Sequence, residues 1–116
     1  MRTLETAWER AKLFREWTRW TIRIAEATER LLKENLDSIY VFGSLVTETA
    51  VASSDIDLLI VARRLPASFV ERSVTKMRIL QEAGLPLVHP FEIHLVDERE
   101  AEIYFQHIRG KSIRIR

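Results

Sequence analysis

Leu13, Trp17, Trp20, Ile24, Ala27 and Leu31 recur every three or four residues, the spacing that lines one face of an α-helix. Glu5, Glu9, Lys12, Glu16, Arg19, Arg23, Glu26 and Arg30 fall between them, several at separations that allow intrahelical ion pairs. The pattern predicts one long helix from about Thr3 to Asn35, apolar on one side and solvated on the other. Trp8, Trp17 and Trp20 read as packing residues of this helix, with enough apolar area to form part of a protein interface as well.

The period then changes. Ile39-Tyr40-Val41-Phe42 is a short apolar run that reads as a buried strand and ends at Gly43-Ser44. Asp55-Ile56-Asp57-Leu58-Leu59-Ile60-Val61 reads as a second strand, and Phe91-Glu92-Ile93-His94-Leu95-Val96 as a third. In the third, Phe91, Ile93 and Leu95 face a core while Glu92 and His94 share the other face. Between the last two strands, Ser68 is placed to cap a helix that runs to about Ala83 and stops at Gly84. Val70, Val74 and Met77, with Ile79 or Leu80, supply the expected apolar face of that helix as it crosses the sheet. Asp97 is placed to cap a final helix from about Glu98 to Ile108, closed by Gly110. The tail Lys111 to Arg116 alternates basic and apolar residues, as an edge strand or a docking segment does. The expected fold class is α/β (α+β), a small mixed sheet flanked by helices, in one domain covering residues 1–116.

Composition narrows the function classes. Eighteen Lys and Arg against seventeen Asp and Glu give a net charge of +1, so no strong nucleic-acid signal is present. There is no apolar run near the roughly 20 residues needed to span a bilayer and no signal-peptide core, so a cytoplasmic protein without membrane association is expected. With no Cys, disulfides and thiolate metal sites are excluded, and a metal here is expected to have oxygen ligands.

The candidate chemistry lies around the second strand. Alternation along a strand sets Asp55 and Asp57 on one face, opposite Ile56, Leu58 and Ile60. Two ionised carboxylates that close repel unless a cation or a shared proton relieves them. Mg²⁺ is the natural partner, because it prefers oxygen ligands and takes one or two carboxylates together with substrate phosphates. Gly43 lets the backbone approach a ligand closely, and a helical turn beginning at Ser44 would offer N–H groups and a hydroxyl to an anion. Glu92 is an acid in an apolar stretch that needs a partner, which a metal shared with Asp55 and Asp57 would provide. His94 lies on the same face, at the rim of that site.

Val41-Phe42-Gly43-Ser44 followed by Ser54-Asp55-Ile56-Asp57-Leu58-Leu59-Ile60 resembles the minimal nucleotidyltransferases of the polymerase-beta superfamily. The resemblance implies that Gly43, Ser44 and Ser54 contact the nucleotide, and that Asp55, Asp57 and Glu92 are the catalytic, metal-binding acids. It also implies Mg²⁺ and a nucleoside triphosphate, ATP, as cofactor and substrate. Two departures stand out: Leu45 to Ala50 lacks the basic residue and glycine that the family commonly carries after Gly-Ser, and the third acid is Glu rather than Asp. The nearest basic residues in sequence beyond the second strand are Arg63 and Arg64.

Two functions follow from the resemblance. One is an enzyme that moves a nucleoside monophosphate, AMP from ATP, onto an acceptor hydroxyl, including one on a partner toxin. The other is an antitoxin-type protein that caps a helical toxin of the kind called HEPN without catalysis. A chain of 116 residues has no room for a separate acceptor-binding domain, so the acceptor would come from another molecule. The sequence leaves homo-oligomerisation open.

Overall fold

The structure is a computed structural model that describes residues 2–51 and 53–116. Its helices are α1 (Arg2–Arg15), α2 (Trp17–Leu32), α3 (Phe69–Glu82) and α4 (Glu98–Ile108). Its strands are β1 (Leu36–Phe42), β2 (Ile56–Ala62), β3 (Phe91–Asp97) and β4 (Ser112–Arg114). The four strands form one sheet in the order β3-β2-β1-β4. β1 runs antiparallel to both β2 and β4, whereas β2 and β3 are parallel, joined by α3 as the crossover. This is the mixed sheet flanked by helices that the periodicity predicts.

Strand alternation gives the sheet two apolar faces. Ile39, Val41, Ile56, Leu58, Ile60, Phe91, Ile93 and Leu95 form one, packed on Ile24 and Ala27 of α2 and on Ile79 and Ala83 at the end of α3. Leu59, Val61 and Val96 form the other, with Tyr40 and Phe42, and are covered by Ala101, Tyr104 and Ile108. Asp57, Glu92 and His94 have the parity of this second face, so the candidate site lies on the α4 side of the sheet.

The caps are where the sequence places them. Ser68 Oγ accepts from the Glu71 N–H, and Asp97 with Glu100 closes a reciprocal capping box. Arg72 ties the two helices together through its guanidinium on Glu100, at 2.7 and 2.9 Å. The tail takes the edge-strand form, with Ile113 opposite Val41, and Arg116 pairs with Glu29 of α2.

Two expectations are corrected. The N-terminal segment is not one helix but two, because Glu16 adopts φ −96° and ψ 26°. Hydrogen bonds run through the bend, from Glu16 N–H to the Lys12 carbonyl and from Trp20 N–H to the Glu16 carbonyl. The change of direction is therefore confined to one residue's ψ. Beyond the bend α2 packs on the sheet, while α1 carries Arg10 to the loop before β2. The second correction concerns α3: Val70, Val74 and Met77 are 69%, 49% and 59% exposed, while Ile79 is fully buried. At 100° per residue these two sets lie on opposite sides of the helix. The longer apolar stripe faces outward, and Ile79, Leu80 and Ala83 suffice for contact at the C-terminal half.

Candidate active site

β1 and β3 flank β2 in a register that sets Phe42 beside Asp57 and Glu92 on its other side. His94, two residues along β3, lies with its Nε2 3.1 Å from Asp57 Oδ1 and 3.9 Å from Glu92 Oε1. Asp57, Glu92 and His94 each offer a donor atom within 4.8 Å of the others, a spacing that suits a shared cation. The side chains of Asp57 and His94 are 22% and 21% exposed, whereas that of Glu92 is 55% exposed and open to solvent.

The imidazole is held from both ends. Its Nδ1 is 3.1 Å from the Tyr104 hydroxyl of α4, opposite the Asp57 contact. The Phe42 ring lies against it at 5.2 Å between centroids. The Tyr104 phenol is raised above its ordinary pKa, first by burial and then by the negative charges of Glu100, Glu92 and Asp57. It therefore remains a neutral hydroxyl, able to donate or accept.

Gly43 fits directly against the acid. It has φ +85°, and a Cβ there would stand 2.3 Å from Asp57 Oδ2. Beyond it the chain turns tightly, with the Gly43 carbonyl accepting from Val46 and Thr47 N–H and the Ser44 carbonyl from Thr49 N–H. The turn predicted after Gly43-Ser44 is present, as consecutive turns rather than a regular helix.

Asp55 is not a member of that cluster. β2 begins at Ile56, so Asp55 lies outside the strand whose alternation would have aligned it with Asp57. Its carboxylate accepts from the Arg10 guanidinium at 3.0 Å, and the same nitrogen donates to the Ser54 carbonyl at 2.8 Å. The Ser54 hydroxyl accepts from Val51 N–H at 2.9 Å, which closes the loop. Of the three acids expected together, Asp57 and Glu92 meet; His94 takes the third place in the cluster, and Asp55 is paired with α1.

Arg10, 45 positions from Asp55, is the partner of that acid that sequence reasoning missed. Arg63 lies six residues beyond Asp57, roughly 20 Å along the strand, and is engaged by the Glu34 carbonyl, Asp37 and Glu98. Near Arg10, His89 accepts the Phe91 N–H on its Nδ1 at 3.1 Å. Its pKa is lowered by burial and then by the Arg10 charge, with Asp55 opposing.

Residues 25–115 match the family described as Polymerase beta, Nucleotidyltransferase. The chain belongs to this family. A protein of Methanocaldococcus jannaschii, provisionally named a protein adenylyltransferase, is 34% identical over 62 residues, 53% of this nucleotidyltransferase chain and 40% of the relative. The chain thus spans about two fifths of the length of that curated relative. Among solved structures, a provisionally named nucleotidyltransferase shares the fold at a TM-score of 0.55 and 24% identity, over 83% of this chain and 97% of the other. A toxin–antitoxin solved with AMP-PNP does so at 0.54 and 22% identity, over 79% and 68%. A provisionally named nucleotidyltransferase of Sulfolobus solfataricus gives 0.50 and 20%, over 96% and 83%. No described helix of the nucleotidyltransferase domain is long and apolar enough to cross a membrane.

Proposed function

We propose that this nucleotidyltransferase domain moves AMP from ATP onto an acceptor hydroxyl of another protein, releasing pyrophosphate. The observation that carries the reading is the contact of Asp57 with the side-chain-free Gly43, with Glu92 next in register. An acid pair thus lies against a turn whose first residue has no side chain to displace the Asp57 carboxylate, as a phosphate-binding Gly-Ser turn beside a metal-binding acid would require. The relative named as a protein adenylyltransferase supports protein as the acceptor, and the toxin–antitoxin neighbour with AMP-PNP supports an adenine nucleotide and a toxin partner. The proposed place of action is the cytoplasm, where ATP is available.

Two carboxylates and an imidazole nitrogen fit a divalent cation, so Asp57, Glu92 and His94 are the residues that would hold one. Such a cation, when bound, neutralises and orients the triphosphate. The chain's own groups do the rest. Ser44 donates its hydroxyl to a phosphate oxygen, and Ser54 keeps the loop before β2 closed through Val51. Arg10 supplies the positive charge absent from Leu45 to Ala50; on leaving Asp55 for the phosphates it frees that carboxylate for the site. Glu92 is the acid most open to an incoming acceptor and takes its hydroxyl proton, as the acceptor oxygen bonds to the α-phosphorus and the bond to pyrophosphate breaks.

The test is incubation with Mg²⁺ or Mn²⁺ and α-labelled ATP, with and without the product of an adjacent helical-protein gene. Label on that partner, lost in Asp57→Ala while the thermal transition persists, is the expected result. Undiminished labelling by Asp57→Ala would refute the mechanism. The Arg10–Asp55 pair favours a second reading, because it holds one expected acid away from the cluster. In that reading the domain is an antitoxin that caps a HEPN-like helical toxin without catalysis. It requires tight complex formation without label, insensitive to Asp57→Ala.

A further inference from the structure

The third member of the cluster is not an acid. Neighbouring donors around a six-coordinate cation with bonds of about 2.1 Å stand about 3.0 Å apart, and around a tetrahedral one about 3.4 Å. His94 Nε2 lies 3.1 Å from Asp57 Oδ1 and 3.9 Å from Glu92 Oε1, and all three donors lie within 4.8 Å of one another, so an inward movement of the exposed Glu92 completes a three-donor face. We propose that His94 is a metal ligand here, and that the site takes a nitrogen-accepting divalent cation of the Mn²⁺ type in preference to Mg²⁺. The inference rests on the nucleotidyltransferase reading only in taking Asp57 and Glu92 as fellow ligands.

The surroundings of the ring fit that role. A ligating imidazole is oriented by a partner on its other nitrogen, and Tyr104 occupies that position at 3.1 Å. Without a cation, Nε2–H donates to Asp57 and the Tyr104 O–H donates to Nδ1. With one, Nε2 gives its lone pair to the metal, the proton sits on Nδ1, and the Tyr104 oxygen accepts it. A hydroxyl serves both states, which a carbonyl or an amide N–H in its place would not. The packed Phe42 ring keeps the imidazole plane in place through the exchange. Mn²⁺ shares the oxygen-rich sites of Mg²⁺ but, as a first-row transition ion, accepts one imidazole nitrogen among carboxylates, whereas Mg²⁺ favours oxygen throughout and surrenders its waters reluctantly.

The experiment uses tag-free protein titrated with MnCl₂ and, separately, MgCl₂, alone and with AMP-PNP. Mn²⁺ binding is followed by electron paramagnetic resonance, and nitrogen ligation by the ¹⁴N coupling in pulsed spectra. We expect ¹⁴N coupling in the wild type and in His107→Asn, and none in His94→Asn. His94→Asn should also lower Mn²⁺ affinity roughly 10–100-fold with much less effect on Mg²⁺. Tyr104→Phe should keep the coupling and lose about tenfold in Mn²⁺ affinity. Bound Mn²⁺ without ¹⁴N coupling in the wild type overturns the inference and leaves the transferase reading intact, a result independent of whether any variant folds. An unchanged Mn²⁺-to-Mg²⁺ preference in folded His94→Asn overturns it likewise. Failure of both ions to bind, even with AMP-PNP, overturns the inference and the metal-assisted transfer together.

Discussion

Replacement of Gly43 by Ala puts two separable strains on the site. A left-handed backbone at φ +85° costs an L residue with a side chain about 1–2 kcal/mol. The added Cβ would also meet Asp57 Oδ2 at 2.3 Å, so the carboxylate must rotate away. Rotation breaks its bond to His94, a charge-assisted contact worth about 1 kcal/mol at a site that is 22% exposed on the Asp57 side. The total is about 2–3 kcal/mol. For 116 residues, an unfolding entropy of about 2.1 cal/mol/K per residue makes each kcal/mol about 4 °C, so Tm should fall by about 8–12 °C. The assay is thermal unfolding of wild type, Gly43→Ala, Asp57→Ala and the double variant as a cycle. In the Asp57→Ala background the same substitution should cost only the backbone part, about 4–8 °C, leaving a coupling of about 1 kcal/mol. Equal costs in the two backgrounds, within about 0.3 kcal/mol, would show that Gly43 and Asp57 are not in contact and refute the reasoning.

Other perturbations address other links. His89 has a lowered folded pKa, so below the ordinary imidazole value of about 6.5 the unfolded chain binds more protons than the folded one. Stability should therefore fall as pH drops through that window and recover above it; His89→Gln should flatten this slope in urea unfolding at pH 5.5 and 7.5. Arg10→Met should cost less than about 1 kcal/mol of stability, as its partner is largely exposed, yet weaken AMP-PNP binding about tenfold by calorimetry. Thr21 is 2% exposed and its hydroxyl has no hydrogen-bond partner among the described residues, so Thr21→Val should raise Tm by about 2–4 °C. Asp97→Ala removes the side-chain acceptor of Glu100 N–H, one half of the capping box, and should destabilise by about 1 kcal/mol in denaturant titration.

Features carried by local periodicity or local side chains were legible in the sequence. The alternation around Glu92 and His94 locates β3 and its two faces, and Ser68 and Asp97 cap helices as their positions imply. Features set by register or by distant contacts were not. The helical pattern runs unbroken through Glu16, so nothing local announces the bend. Val70, Val74 and Met77 make a better stripe than Ile79 and Ala83, yet the crossover geometry turns the poorer stripe inward. Asp55 and Asp57 read as a pair because the start of β2 is invisible to one residue, and that residue decides the face. His94 was visible on the correct face, but its approach to Asp57 depends on the parallel register that sets Leu59 beside it. Arg10 belongs to a different element altogether.

If the nucleotide takes Arg10 from Asp55, as proposed above, the N-terminal helix becomes a thermodynamic participant in nucleotide binding. One guanidinium nitrogen holds the Asp55 carboxylate and the Ser54 carbonyl, so release of that acid removes one of the contacts that seat α1. A ligand that claims either Arg10 or Asp55 loosens the helix. By reciprocity, a macromolecule that grips α1 and draws it off alters the affinity for that ligand by the same factor. Trp8, 68% exposed on the same helix, gives such a grip an apolar handle. Occupancy of the site and occupancy of the helix thus report on each other, without any rearrangement of the sheet between them.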